Sequence, residues 1–144
     1  WSVRRASGVP VAVSERLVTR EQYRQVLELN AADYVMIDPT WVGGISESRR
    51  IAELAQLYNI PVLMHDCTGP LTLLAGLNIA AAVPGVTYQE CVRAHIATLY
   101  PNLTDQNVTV SDGAIPISQR PGIGARWNVE LFAENRGGYR ISQL

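Results

Sequence analysis

Cysteine is scarce: Cys67 and Cys91 are the only two in 144 residues. They fall on separate elements without metal-type spacing, so no thiolate metal cluster is expected and a reduced, cytoplasmic setting is the default. Charge is sparse as well, at 17% of residues with a net of -1. That leaves no basic stripe for nucleic acid and no acidic tail of the disordered kind. Long apolar runs are missing too. The most apolar stretch, residues 71–83, is interrupted by Gly76 and Asn78 and is too short to span a bilayer. No apolar run follows Arg4 and Arg5, as a signal peptide would require. Neither nucleic acid nor a membrane is an expected partner. Asn102-Leu103-Thr104 and Asn107-Val108-Thr109 match the glycosylation triplet, but without secretion the match carries no weight.

What is present is enough apolar material, 47% of the chain, for one domain with a true core. Trp1 to Gly8 reads as the end of a helix and a loop. Residues 9–13 are a short apolar run closed by Ser14 and Glu15, a buried strand. Thr19 with Gln22 forms a capping box, and Tyr23, Val26, Leu27 and Asn30 follow helical spacing, which predicts a helix over 19–30. A second apolar run, 34–38, stops on Asp38. Gly43-Gly44 then breaks the chain, Ser46 is placed to cap a helix, and Ile51, Leu54, Ala55 and Tyr58 give that helix its apolar face. A third run, 61–65, stops on His65. A helix apolar on nearly every side follows over 70–83, and a fourth strand, 86–90, ends on Glu90. Residues 91–100 read as helical and 101–112 as a polar loop. The Gly/Pro-rich stretch through Pro121-Gly122-Ile123-Gly124 shows no βα pattern. A short helix over 128–134 and a terminal strand over 139–144 complete the expectation.

Four polar residues, each closing an apolar strand, recur at one βα period. Glu15, Asp38, His65 and Glu90 are spaced 23, 27 and 25 residues apart. Right-handed crossovers would set them side by side along the C-terminal rim of a parallel sheet, where α/β folds place their chemistry. Four βα units do not close a barrel, which usually takes about 250 residues. The chain therefore reads as the C-terminal part of a larger enzyme, with a complete small α/β domain as the alternative.

At these residues the sequence resembles the enolase superfamily of mandelate racemase/muconate lactonizing enzyme type, specifically the mandelate racemase subgroup with its sugar-acid dehydratases. Residues 11–17, ending Ser14-Glu15-Arg16-Leu17, resemble the fifth barrel strand, whose Glu is a magnesium ligand. Asp38-Pro39-Thr40-Trp41-Val42-Gly43-Gly44 resembles the sixth, where the Asp partners a His. Met64-His65-Asp66-Cys67-Thr68-Gly69-Pro70 resembles the seventh, which carries that His, and Gln89-Glu90 the eighth, whose Glu hydrogen-bonds the developing enolate. Asp112-Gly113 and Pro121-Gly122-Ile123-Gly124 resemble the segment that returns to a capping domain. Ser14 departs from the usual Gly before the metal-binding Glu. The other metal ligands and the lysines of the second strand lie upstream in the family and are absent here.

The resemblance implies an α/β fold with strands 5–8 of a TIM-type barrel in residues 1–100, and a return segment in 101–144. It implies a Mg²⁺-dependent lyase, an aldonate or aldarate dehydratase acting on a small sugar acid by α-proton abstraction. The full-length protein would form symmetric homo-oligomers. A racemase or epimerase of the same superfamily, or an inert fragment when the chain is alone, are the other readings. Glu15 would bind Mg²⁺, which prefers carboxylate oxygen; its bland alternative is an ion pair with Arg16 or Arg20. His65 would be the general acid/base, since an unperturbed pKa near 6.5 suits the task. Asp38 would fix its tautomer. The bland alternative for His65 is a core histidine bonded to backbone. Glu90 would donate a hydrogen bond if burial kept it protonated, and would otherwise cap the next helix. His95 reads as structural or surface, Trp41 as packing, and Tyr23 and Tyr58 as core-facing. Asp66 and Cys67 adjoin the base without an assignable step.

Overall fold

The computed structural model describes residues 1–133. Helix α1 (Ser2–Ser7) ends on Gly8 in the left-handed conformation, as the opening stretch suggested. The chain then alternates β1 (Ala12–Val13), α2 (Arg20–Glu28), β2 (Tyr34–Ile37), α3 (Ile45–Leu57), β3 (Val62–Met64), α4 (Pro70–Ala82) and β4 (Val86–Gln89). The strands form one sheet in the order β1-β2-β3-β4, every pair parallel. Sequential parallel order with a helix in each connection is the expected run of barrel-type units.

The core explains the arrangement. Val35 and Ile37 of β2, with Val62 and Met64 of β3, are fully buried and pack with Tyr23 and Leu27 of α2, Ile51, Ala52 and Ala55 of α3, and Ile79 of α4. All three long helices therefore lie on one face of the sheet. Residues of the opposite parity, Tyr34, Met36 and Leu63, are only partly buried, and Tyr88 is 69% exposed. A strand's side chains alternate faces, so this second face is open among the described residues.

Several boundaries differ from the sequence expectation. The predicted buried strand over 9–13 is a two-residue edge strand with Ala12 exposed, because among the described residues it pairs on one side only and Pro10 has no N–H to offer. β4 is likewise exposed at Thr87 and Tyr88, with a register shift opposite Val62/Leu63. Thr19 and Gln22 do form the capping box of α2. Ser46 does not cap α3; the helix starts two residues earlier than that cap implies, with Gly44 as N-cap at φ 103°, ψ -175°, a region open to glycine alone. Tyr58 is the exposed C-terminal cap of that helix, not a core residue, whereas Tyr23 is fully buried.

After Glu90 the expected helix is present but unusual. It begins at Arg93, widens into a π-helix over His95–Leu99, and continues as α5 (Tyr100–Leu103), so Pro101 lies within helix and not in a loop. Tyr100 packs with Leu73, Leu74 and Leu77 of α4. Ile115, Ile117 and Ile123 of the following irregular segment close over that cluster. Asp105, paired with Arg120 at 2.6 Å, ties the segment together. α6 (Glu130–Ala133) is the expected short helix; the strand expected over 139–144 lies outside the described residues. Among the described residues no helix is long and apolar enough to cross a membrane.

Candidate active site

Each strand of the sheet stops one or two residues before its polar terminus, and the backbone ladder aligns those termini. His65 donates its amide to Ile37 O at 2.9 Å, and Glu90 donates its amide to Met64 O at 2.8 Å. The three strand ends are thus locked side by side, as the spacing predicted.

Asp38 is fully buried and each of its oxygens receives two donors. Oδ1 accepts the amides of Thr40 at 2.7 Å and Trp41 at 3.3 Å. Oδ2 accepts the Thr68 hydroxyl at 2.8 Å and meets His65 Nδ1 at 2.7 Å. With its acceptor sites so occupied, Asp38 takes a hydrogen from Nδ1, which leaves Nε2 as the nitrogen free for chemistry. His65 is therefore not a core histidine bonded to backbone. Nε2 lies 3.7 Å from Glu90 Oε2 and 3.6 Å from Cys67 Sγ. Burial and the charges of Asp38, Glu90, Asp66 and Glu15 push the Cys67 thiol up, so it stays neutral beside the base.

Glu90 makes no bond that caps the next helix. Its Oε2 instead accepts the backbone N–H of Asp66 at 3.1 Å. Its side chain is 43% exposed, so the burial expected to keep a proton on it is not supplied by the described residues. Glu15 sits on the same rim with 20% side-chain exposure and lies 3.6 Å from Arg16 Nε. Arg20 pairs with Glu47 instead. Burial raises the Glu15 pKa, but its own backbone amide, the Ser14 hydroxyl, His65 and Arg16 together hold it below the ordinary value. The Arg16 contact is a loose pair on a residue 81% exposed, of the kind that contributes little. Arg16 also lies over the Trp41 ring at 5.5 Å, and Trp41 stands 6.0 Å from the His65 ring, so Trp41 lines the mouth.

No group of three His, Cys, Asp or Glu side chains among the described residues is arranged to hold a metal. Glu15, ionised and accessible, fits as one oxygen donor for a hard cation. His95 stands apart from the rim, half-buried on the π-helix, its ring 5.6 Å from Tyr100. Asp66, which the sequence left without a step, is fully buried and bonded to Tyr100. Nothing in a single sequence marks an Asp after a strand-end His as buried, and the π-helix that aims Tyr100 has no periodicity signal of its own.

This geometry has relatives. D-xylonate dehydratase of Haloferax volcanii is 32% identical over 122 residues, covering 85% of this chain and 29% of that protein. Arabinonate dehydratase of Saccharolobus solfataricus is 28% identical, over 88% of this chain and 33% of that protein. The solved structure of an enolase protein from environmental shotgun sequencing of the Sargasso Sea superposes with a TM-score of 0.84 at 34% identity, covering 93% of this chain and 36% of that one. A mandelate racemase subgroup enolase from Agrobacterium tumefaciens gives 0.80 at 34% identity, with 92% and 36% covered. The chain spans about a third of the length of the relatives it matches. The model of the enolase C-terminal domain-like family matches residues 2–131, and the chain belongs to that family.

Proposed function

We propose that this chain is the C-terminal barrel portion of a Mg²⁺-dependent sugar-acid dehydratase. One observation carries the reading: the His65–Asp38 pair, with Nε2 left free beside Glu90 at the end of adjacent parallel strands. The relatives named as xylonate and arabinonate dehydratases support the substrate class.

Dehydration of a sugar acid removes a proton from the carbon next to the carboxylate and a hydroxyl from the carbon after it. The first step leaves an enediolate, whose charge must be stabilised. When bound, Mg²⁺ supplies electrostatic stabilisation of that charge, and Glu15 is the residue here that would hold it. His65 acts as general acid. Nε2 carries a proton and gives it to the departing hydroxyl, which leaves as water, while Nδ1–H stays on Asp38. The proton from the α-carbon goes to a base outside this chain. Glu90 would donate a hydrogen bond to the enediolate oxygen once the complete site buries its carboxyl in the protonated form. The resulting enol tautomerises to a 2-keto-3-deoxy acid. Residues 1–100 form the barrel part in this reading, and the later segment returns toward a capping domain.

The test uses the full-length protein with xylonate, arabinonate, galactonate and gluconate as candidates, following the keto product. His65→Ala should lower turnover on the best substrate by about 10²–10⁴-fold. Wild-type turnover in that variant would end the proposal.

A further inference from the structure

Asp66 is a buried carboxylate that the dehydration scheme does not use. It is fully buried; Oδ1 accepts the Tyr100 hydroxyl at 2.8 Å, while Oδ2 has no hydrogen-bond partner. Such a group is costly to bury. Its pKa is accordingly raised, by burial first and by the neighbouring Glu90 charge. The Tyr100 hydroxyl, the Val92 amide (which closes no hydrogen bond to Oδ2) and His65 act against that rise. Cys67 and Cys91 are the other titratable groups that sense it.

The surroundings show what Asp66 does. Its backbone N–H donates to Glu90 Oε2 at 3.1 Å, and its own chain neighbour is His65. Tyr100 is 2% exposed and wedged among Leu73, Leu74 and Leu77, so its hydroxyl is a fixed post. The π-helix His95–Leu99 immediately precedes it. One residue turns an α-helix by about 100°, so the widened turn sets which way Tyr100 points. π-turns of this kind are frequent at functional sites.

We propose that Asp66 and Tyr100 are a positioning pair for the reaction: the Tyr100 hydroxyl fixes the Asp66 carboxyl, which fixes the peptide after His65, whose amide holds Glu90 beside Nε2. The inference rests on the reading of His65 and Glu90 as reacting groups. Neither Asp66 nor Tyr100 touches substrate; both act through Glu90 and the strand end that carries the base.

The test compares variants of the full-length protein on the aldonate turned over fastest. Tyr100→Phe and Asp66→Ala should each lower kcat about tenfold, the equivalent of one lost hydrogen bond, with KM within about twofold. Asp66→Asn keeps the acceptor for Tyr100 and the backbone amide. It should hold kcat within about threefold of wild type and melt no lower. Should Tyr100→Phe fail to fold, the contrast between Asp66→Ala and Asp66→Asn decides alone. Wild-type kcat in Tyr100→Phe or Asp66→Ala, or equal loss in Asp66→Asn and Asp66→Ala, overturns the pair. If His65→Ala abolishes turnover while those variants run normally, only this inference fails. If His65→Ala is active, the dehydratase reading fails first and takes the pair with it.

Discussion

Asp38 receives four donors with none of its surface exposed, and that census sets what a substitution must cost. Asparagine in its place turns one acceptor oxygen into an NH₂ group, which cannot take the Nδ1 hydrogen or the Thr68 hydroxyl. Asp38→Asn should therefore destabilise the protein by about 2–3 kcal/mol in urea denaturation, since hydrogen bonds to a charged group are at stake. Turnover should fall as far as in His65→Ala, because the imidazole loses its fixed tautomer. An unchanged unfolding midpoint would contradict the bonding described. Asp38 and His65 were legible in the sequence because each ends an apolar run on a lone polar group. Asp66 was not legible: its burial comes from Tyr100, 34 residues away, and from helix packing that no local pattern encodes. Glu90 was legible as a strand end but not in its exposure, which depends on what covers the rim.

The connecting elements show where local chemistry suffices and where it does not. Thr19 and Gln22 were readable as a helix start because a capping box is a contact between neighbours. The start of α3 was misplaced by two residues because Gly44 adopts a backbone conformation that makes a side-chain cap unnecessary. No atom lies within 4 Å of a Cβ placed there, so backbone strain alone would act. Gly44→Ala should cost about 1–3 kcal/mol, measured by thermal melting; a stability equal to wild type would mean the turn relaxes freely. The irregular segment makes a pH prediction. The Arg120 hydrogen bond, then the Arg126 amide, lower the Asp105 pKa to about 2. A depressed carboxyl contributes stability above its unfolded value, about 3.9, and loses it as pH falls through about 2. Arg120→Ala should therefore lower the melting temperature at pH 6 and leave it unchanged near pH 1.5.

At the scale of the whole molecule, helix packing covers one face of the sheet and leaves Tyr88 and its neighbours bare on the other. The order of elements was legible because hydrophobic runs and βα spacing determine it. The open face was not, since a barrel interior and a solvated face share the same alternation. No group of three His, Cys, Asp or Glu side chains around Glu15 is arranged to hold a cation among the described residues. Calorimetry on the 144-residue chain should accordingly detect no micromolar Mg²⁺ binding, and such binding would contradict a metal site completed from elsewhere. The sheet also has two rims. β1 and β4 are each paired on one side only, so a row of amides and carbonyls on either flank has no strand beside it among the described residues. Rows of that kind recruit extended chain from any source. Cut loose from whatever flanks it, the chain is sticky along two parallel lines, and its colloidal behaviour should depend steeply on concentration.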